Sequence, residues 1–198
     1  MERNLLQGSR LKHNERCTKC KETIRLMLEK IYGNVKVRYK FDIGVYPGDF
    51  IHTPHYQALR EIFSVLQIYR GYKRFVRSKT LRKCDFFIPN PGFILEFDES
   101  QHLTKPRRIA LTHYPEDFEL GFDRERWIGL CEKINAKDND PRYRDEQRAW
   151  YDTLRDFLPE IEGLKPTIRI FSKDFQWCSL DPNNPADVEE FKSILERG

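Results

Sequence analysis

The chain has 198 residues, 39% hydrophobic and 13% aromatic, enough for one decorated domain or two small ones despite 33% charged residues. Its formal charge is only +4, so a nucleic-acid role must rest on where the charge sits rather than on its total. No apolar run reaches membrane-spanning length, and the opening MERNLLQGSRLK lacks the apolar stretch of a signal peptide, so a soluble cytoplasmic protein with no membrane partner is expected.

Five cysteines at scattered positions argue for reduced thiols rather than a disulfide framework. Only CTKC has ligand spacing: Cys17 and Cys20 supply two of the four ligands of a structural Zn²⁺, and His52 and His55 of HTPH can complete the set. The plainer alternative is two thiols beside a helix start. KETIRLMLEKIYG then places Ile24, Met27, Leu28 and Ile31 on one helical face, with Gly33 as a C-terminal cap. VKVRYKF alternates as a strand does. TPHYQALREIFSVLQIY predicts a helix with Thr53 as N-cap, Pro54 at its first position and Leu59, Ile62, Phe63 and Leu66 facing inward.

Three strand candidates follow Gly71: YKRFVRSK, KCDFFIP and GFILEFDES. Residues 103–123 read as loop with short helical pieces, and DRERWIGLCEKI as a short helix. DPRYRDEQRAWYDTLRDFLP reads as a longer helix, with Asp140 as cap, Pro141 at the first position and Trp150, Leu154 and Phe157 inward. PTIRIFS is a strand and PADVEEFKSILE a closing amphipathic helix. Strands meeting helices in this order predict an α/β (α+β) protein with a mixed sheet flanked by helices. The expected organisation is an N-terminal extension over 1–50 that can bind zinc, a core over 51–180 and a C-terminal helix over 181–198.

The turn PNPG, Pro89 to Gly92, predicts a hairpin pairing Ile88 with Phe93, Phe87 with Ile94 and Phe86 with Leu95. Asp85 then faces Glu96, their Cβ atoms ~5 Å apart, and Asp98 leaves on the same face as Glu96. Three carboxylates beside apolar strands need compensation from a divalent cation, a shared proton or nearby arginines, and hard oxygen ligands at this separation suit Mg²⁺ or Mn²⁺. The competing reading is a solvent-exposed strand end beside Lys or Arg.

The spacing of Asp85, Glu96 and Asp98 resembles the metal motif of the PD-(D/E)XK, or restriction-endonuclease-like, nucleases. CDFFIPNPGFILEFDESQH is similar to the signature of their very-short-patch-repair-type branch. The resemblance spans roughly residues 53–102 and 141–172. It implies a helix-strand-strand-strand-helix-strand core, Mg²⁺-dependent hydrolysis of DNA phosphodiester bonds, Asp85 and Glu96 as metal carboxylates, and Glu61 on the leading helix completing the metal shell. Asp98 stands at the usual lysine position, leaving Asp98, Gln101 or His102 to orient the water or contact the phosphate. Glu99 replaces the branch's Gly, so a register using Glu99 and Gln101 stays open.

Tyr69 to Lys83 holds seven Lys or Arg and no acid: Arg70, Lys73, Arg74, Arg77, Lys79, Arg82 and Lys83, interleaved with Tyr69, Tyr72 and Phe75. Lys105, Arg107 and Arg108 follow the hairpin. Two basic segments bracketing an acidic site suit DNA: cations for the phosphates, carboxylates for the metal. Arg144, Arg148 and Arg155 either add phosphate contacts or pair with Asp145 and Asp152. The alternatives are a catalytically inactive nucleic-acid-binding or protein-interaction module, and a zinc-stabilised small domain centred on CTKC. A homodimer is compatible with each.

Overall fold

A computed structural model of the protein describes Glu15 and residues 17–197; most of the opening segment, including MERNLLQGSRLK, lies outside the described residues. The described residues form a mixed α/β structure. Strands β1 (Lys36–Val37), β2 (Phe86–Ile88), β3 (Phe93–Asp98) and β4 (Ile168–Phe171) lie side by side in the order β1-β2-β3-β4. The first two pairings are antiparallel and β3–β4 is parallel. Six helices accompany them: α1 (Thr18–Tyr32), α2 (Tyr56–Arg70), α3 (Lys105–Thr112), α4 (Arg124–Ile134), α5 (Arg144–Glu162) and α6 (Pro185–Arg197).

The hairpin adopts the predicted register, Ile88 opposite Phe93 and Phe86 opposite Leu95. Gly92 closes its turn at φ 93°, a conformation open to glycine at little cost. β3 is buried at all six positions because both faces of the sheet are covered. On one face Phe86, Leu95 and Phe97 pack with Ile24, Met27 and Leu28 of α1, Trp177, and Phe191 of α6. On the other, Ile94 joins Leu59, Leu111, Trp127, Trp150 and Leu154 of α2 to α5.

Chain positions 18–37, expected in an extension, therefore belong to the sheet's own packing: α1 covers one face and β1 is the edge strand. VKVRYKF forms only the two-residue β1, since Arg38 turns out at φ 52° while its N–H still reaches Asp85 O at 2.9 Å. YKRFVRSK forms no strand. Its Phe75 and Val76 are buried, but α5 satisfies its backbone instead of a neighbouring strand: Gln147 donates to Phe75 O at 2.9 Å, and Ser78 N–H donates to the Tyr151 hydroxyl at 3.4 Å.

Two helix starts fall later than their Pro signals suggest. Thr53 donates its hydroxyl to Phe50 O at 2.8 Å and closes the 3₁₀ turn Pro47–Phe50, leaving α2 to begin at Tyr56. Residues 141–144 close as a turn, Arg144 N–H to Pro141 O at 2.8 Å, so α5 begins at Arg144. α5 also contains Pro159, which has no N–H to give Arg155 O. Thr167 fills that gap with its hydroxyl at 2.7 Å, tying the helix to the start of β4.

Candidate active site

Asp85 precedes β2 and Glu96 lies within β3, so the hairpin register brings them opposite each other. The Asp85 N–H donates to Glu96 Oε1 at 3.2 Å, and the Phe97 N–H donates to Asp85 Oδ2 at 3.1 Å. Lys21 of α1 donates to both Asp85 oxygens, at 2.8 and 3.0 Å. The Asp85 side chain is 24% exposed and that of Glu96 only 6%. Behind them Arg155 of α5 places Nε 3.4 Å from Glu96 Oε1, and that buried nitrogen has no hydrogen-bond partner.

Burial, opposed by Arg155 and reinforced by Asp85, pushes the Glu96 carboxyl up to about 7. A carboxyl with a raised native pKa keeps its proton after the unfolded chain has lost it. Its contribution to stability is therefore full below the ordinary value of 4.5 and is lost as pH rises through about 7. Thermal unfolding of the metal-free protein should show this decline, on the order of 3 kcal/mol across the range. Glu96→Gln should flatten it; parallel pH profiles for the two proteins would contradict the role given to Glu96.

Asp98 leaves β3 on the α5 side, as the alternation requires, but cations from distant elements claim it. Arg169 on β4 donates to both its oxygens at 2.9 and 3.0 Å, and Trp127 of α4 donates to Oδ2 at 2.9 Å. Against the opposing effect of burial, Arg169 and His102 hold the Asp98 carboxyl below its ordinary value. His102 sits in the 3₁₀ turn Ser100–His102 with Nδ1 2.9 Å from Asp152 Oδ2 and 3.6 Å from Asp98 Oδ1. Burial disfavours its charge, yet Asp152 and Asp98 together raise its pKa. Arg169 further donates to Asp156 at 2.7 Å, as does Arg107 at 2.6 Å. The three carboxylates expected at one point thus divide: Asp85 and Glu96 stay together, and Asp98 joins a buried ionic network.

Gln101 is exposed and donates to Glu99 at 2.6 Å, while its carbonyl accepts from Arg148 at 2.7 Å. Glu61 is exposed on α2, a helix packed against α3, α5 and the 47–50 turn. The leading helix over the Asp85–Glu96 pair is α1, which contributes Lys21.

A cleft of about 730 Å³ opens over Asp85 and Arg155, and seven of its lining residues are Lys or Arg against two carboxylates. Arg82 and Lys83, expected from the sequence, line it. Lys21 and Arg25, on the polar face of α1, line it too, as do Arg38 and Lys40 after β1, which no sequence signal marked. The other basic residues scatter. Lys73, Arg74 and Arg77 line a second hollow of about 380 Å³ with Tyr46 and Phe63. Lys79 is exposed, and Lys105 lies over the Tyr69 ring. Arg70 is paired with Glu146 and Asp145, and Arg108 with Glu132. Arg107 is 1% exposed, bonded to Tyr114 and Asp156, and cannot reach a phosphate; the structure corrects its assignment to a nucleic-acid surface. Arg155 pairs with Asp152 at 3.1 Å, and Arg148 with Asp138 at 2.9 Å.

All five cysteines are thiols. The sulfurs of Cys17, Cys20 and Cys178 lie within 4.8 Å of one another, a cluster that could hold a metal ion. HTPH does not complete it: His55 pairs with Glu160 at 2.8 Å against Phe118 and Phe157, and His52 is exposed. Among the described residues this is the one group of three or more His, Cys, Asp or Glu side chains so arranged, and no helix is long and apolar enough to cross a membrane.

Asp85 and Glu96 offer the hard oxygen donors that Mg²⁺ or Mn²⁺ accepts alongside several waters. Lys21 already occupies both Asp85 oxygens, and among the described residues no group of three or more carboxylates is arranged to hold an ion. Compared with protein-family models, with curated proteins and with solved structures, the chain matches none.

Proposed function

We propose that the protein is a divalent-metal-dependent endonuclease that hydrolyses DNA phosphodiester bonds. The observation that carries this reading is Asp85, hydrogen-bonded through its N–H to the buried Glu96, lining a cleft with seven cationic side chains. The element order supports a restriction-endonuclease-like core, with α1 as leading helix, then β1, β2, β3, α5 and β4. Mg²⁺ or Mn²⁺ held by Asp85 and Glu96 would lower the pKa of a water and stabilise charge at the reacting phosphorus. Arg82, Lys83, Arg38 and Lys40 hold the phosphates either side of the scissile bond. Lys21 places an ammonium at Asp85, supplying from α1 a cation that the motif lacks at Asp98, and balances charge on the reacting phosphate. Asp98 and His102 act at one remove, fixing the end of β3 against α5.

A second reading, a nucleic-acid-binding module without catalysis, is favoured by the Lys21 ammonium on both Asp85 oxygens and by Arg169 on Asp98. Plasmid and single-stranded DNA incubated with Mg²⁺ or Mn²⁺ separate the two. Cleavage by the wild type that fails in Asp85→Ala supports the nuclease, and binding without cleavage supports the module.

The cleft assignment makes a separate prediction. Arg82→Ala should weaken DNA binding evenly across sequences and lower the slope of log K against log salt by about 1. An unchanged slope in filter-binding titrations would remove Arg82 from the interface.

A further inference from the structure

We propose that Cys17, Cys20 and Cys178 bind a structural Zn²⁺ that fastens the start of α1 to the turn after β4. This site is independent of the nuclease reading.

Three observations carry it. The three sulfurs converge within 4.8 Å, although Cys178 lies at the opposite end of the chain from the other two. A disulfide uses two sulfurs at ~2.05 Å and leaves a third unexplained, whereas a tetrahedral ion takes several thiolates at ~2.3 Å each. Thiolate donors with no carboxylate in the group select zinc over Mg²⁺ or Ca²⁺.

Each ligand is also held in place by its own element. Cys17 is the N-cap residue of α1 and Cys20 lies in its first turn, so Cys-x-x-Cys presents both sulfurs to one side of the helix start. The Cys20 N–H donates to Cys17 O at 3.1 Å, closing the turn that carries both sulfurs. Cys178 occupies the 3₁₀ turn Trp177–Ser179, and that turn is fixed to the sheet: Trp177 is 1% exposed and donates to Phe171 O, the end of β4, at 3.1 Å. Cys20 is buried, while Cys17 and Cys178 are half-buried, which leaves the ion a route from solvent. The three thiolates leave the fourth position of a tetrahedral ion to a water or a further side chain.

The consequence reaches the cleft through the chain itself. Lys21 follows Cys20 directly, so an ion at the cysteines holds the turn of α1 from which Lys21 reaches Asp85.

The test is metal analysis of the full chain, purified without a histidine tag or chelator. About one zinc per chain is expected, and Cys178→Ser should lose most of it. Cys131→Ser, which alters a buried thiol outside the cluster, should keep it. Should Cys178→Ser fail to fold, the wild type still decides. Stripped of metal and titrated with Co²⁺, it should develop thiolate-to-metal absorption, and chelation of the zinc-loaded chain should expose three further thiols to a thiol reagent. A wild type that holds no zinc as purified or after Zn²⁺ addition overturns the proposal. So does zinc content unchanged by Cys178→Ser, or a Cys17–Cys20 disulfide in the purified chain.

Discussion

Arg169→Met is expected to destabilise the protein by about 3–5 kcal/mol, the usual cost of removing one member of a buried ionic group. For a chain of this size that lowers Tm by roughly 6–20 °C. The Arg169 side chain is fully buried and meets Asp98 at 2.9 Å, Asp156 at 2.7 Å and the Asp152 carbonyl at 3.0 Å. It also lies over the Phe122 ring. Asp156 would retain Arg107 and Tyr114, and Asp152 would retain His102 and Arg155. The loss therefore concentrates on Asp98, left with Trp127 and the more distant His102. Urea denaturation measures it. Asp98→Leu combined with Arg169→Met should recover part of the loss, because an apolar pair replaces the ions without leaving a charge alone. A single substitution costing under ~1 kcal/mol would show that the network does not carry the packing between β3, β4 and α5.

Asp85→Ala and Glu96→Ala are each expected to lower Mg²⁺-dependent cleavage by at least ~100-fold, the scale on which one preorganised charge acts at a reacting phosphate. The two substitutions should not add: residues that hold one ion act as a unit, so the double variant falls little below either single one. The folded state should tolerate Asp85→Ala; Glu96→Ala leaves the buried Arg155 without this carboxylate, so Glu96→Gln is the matched variant for activity. The Asp85 ion pair with Lys21 is partly solvated, at 24% and 40% side-chain exposure, and pairs of that kind contribute little. Loss of activity can then be read as loss of chemistry if DNA binding and the unfolding midpoint stay close to wild type. Cleavage that persists in both variants would sink the site.

The hairpin and its acid pair were legible because their determinants are local. PNPG sets the turn, alternation assigns the faces, and pairing of Phe86 with Leu95 carries Asp85 to Glu96. The helix over 124–134 was legible for the same reason: the Asp123 side chain accepts from the Arg126 N–H at 3.0 Å and stops the chain in a capped start. YKRFVRSK misled because its strand-forming Tyr72, Phe75 and Val76 are real, but Phe75 O and Ser78 N–H are satisfied by side chains of α5 and Lys73 O by Gln67 of α2, which no local pattern encodes.

By itself, the sequence determined the hairpin register, the inward faces of the main helices, the opposition of Asp85 and Glu96, and the Cys-x-x-Cys pair. All of these follow from steric and hydrogen-bonding rules acting over a few residues. Only the tertiary structure decided which charges meet across the chain. Arg169, 71 residues beyond Asp98, takes that carboxylate out of the acid cluster; Lys21, 64 residues before Asp85, takes the place beside the pair; and Cys178 joins Cys17 and Cys20. The reason is physical: a buried carboxylate or thiol is satisfied by whatever partner packing delivers, and packing joins residues that are distant in sequence.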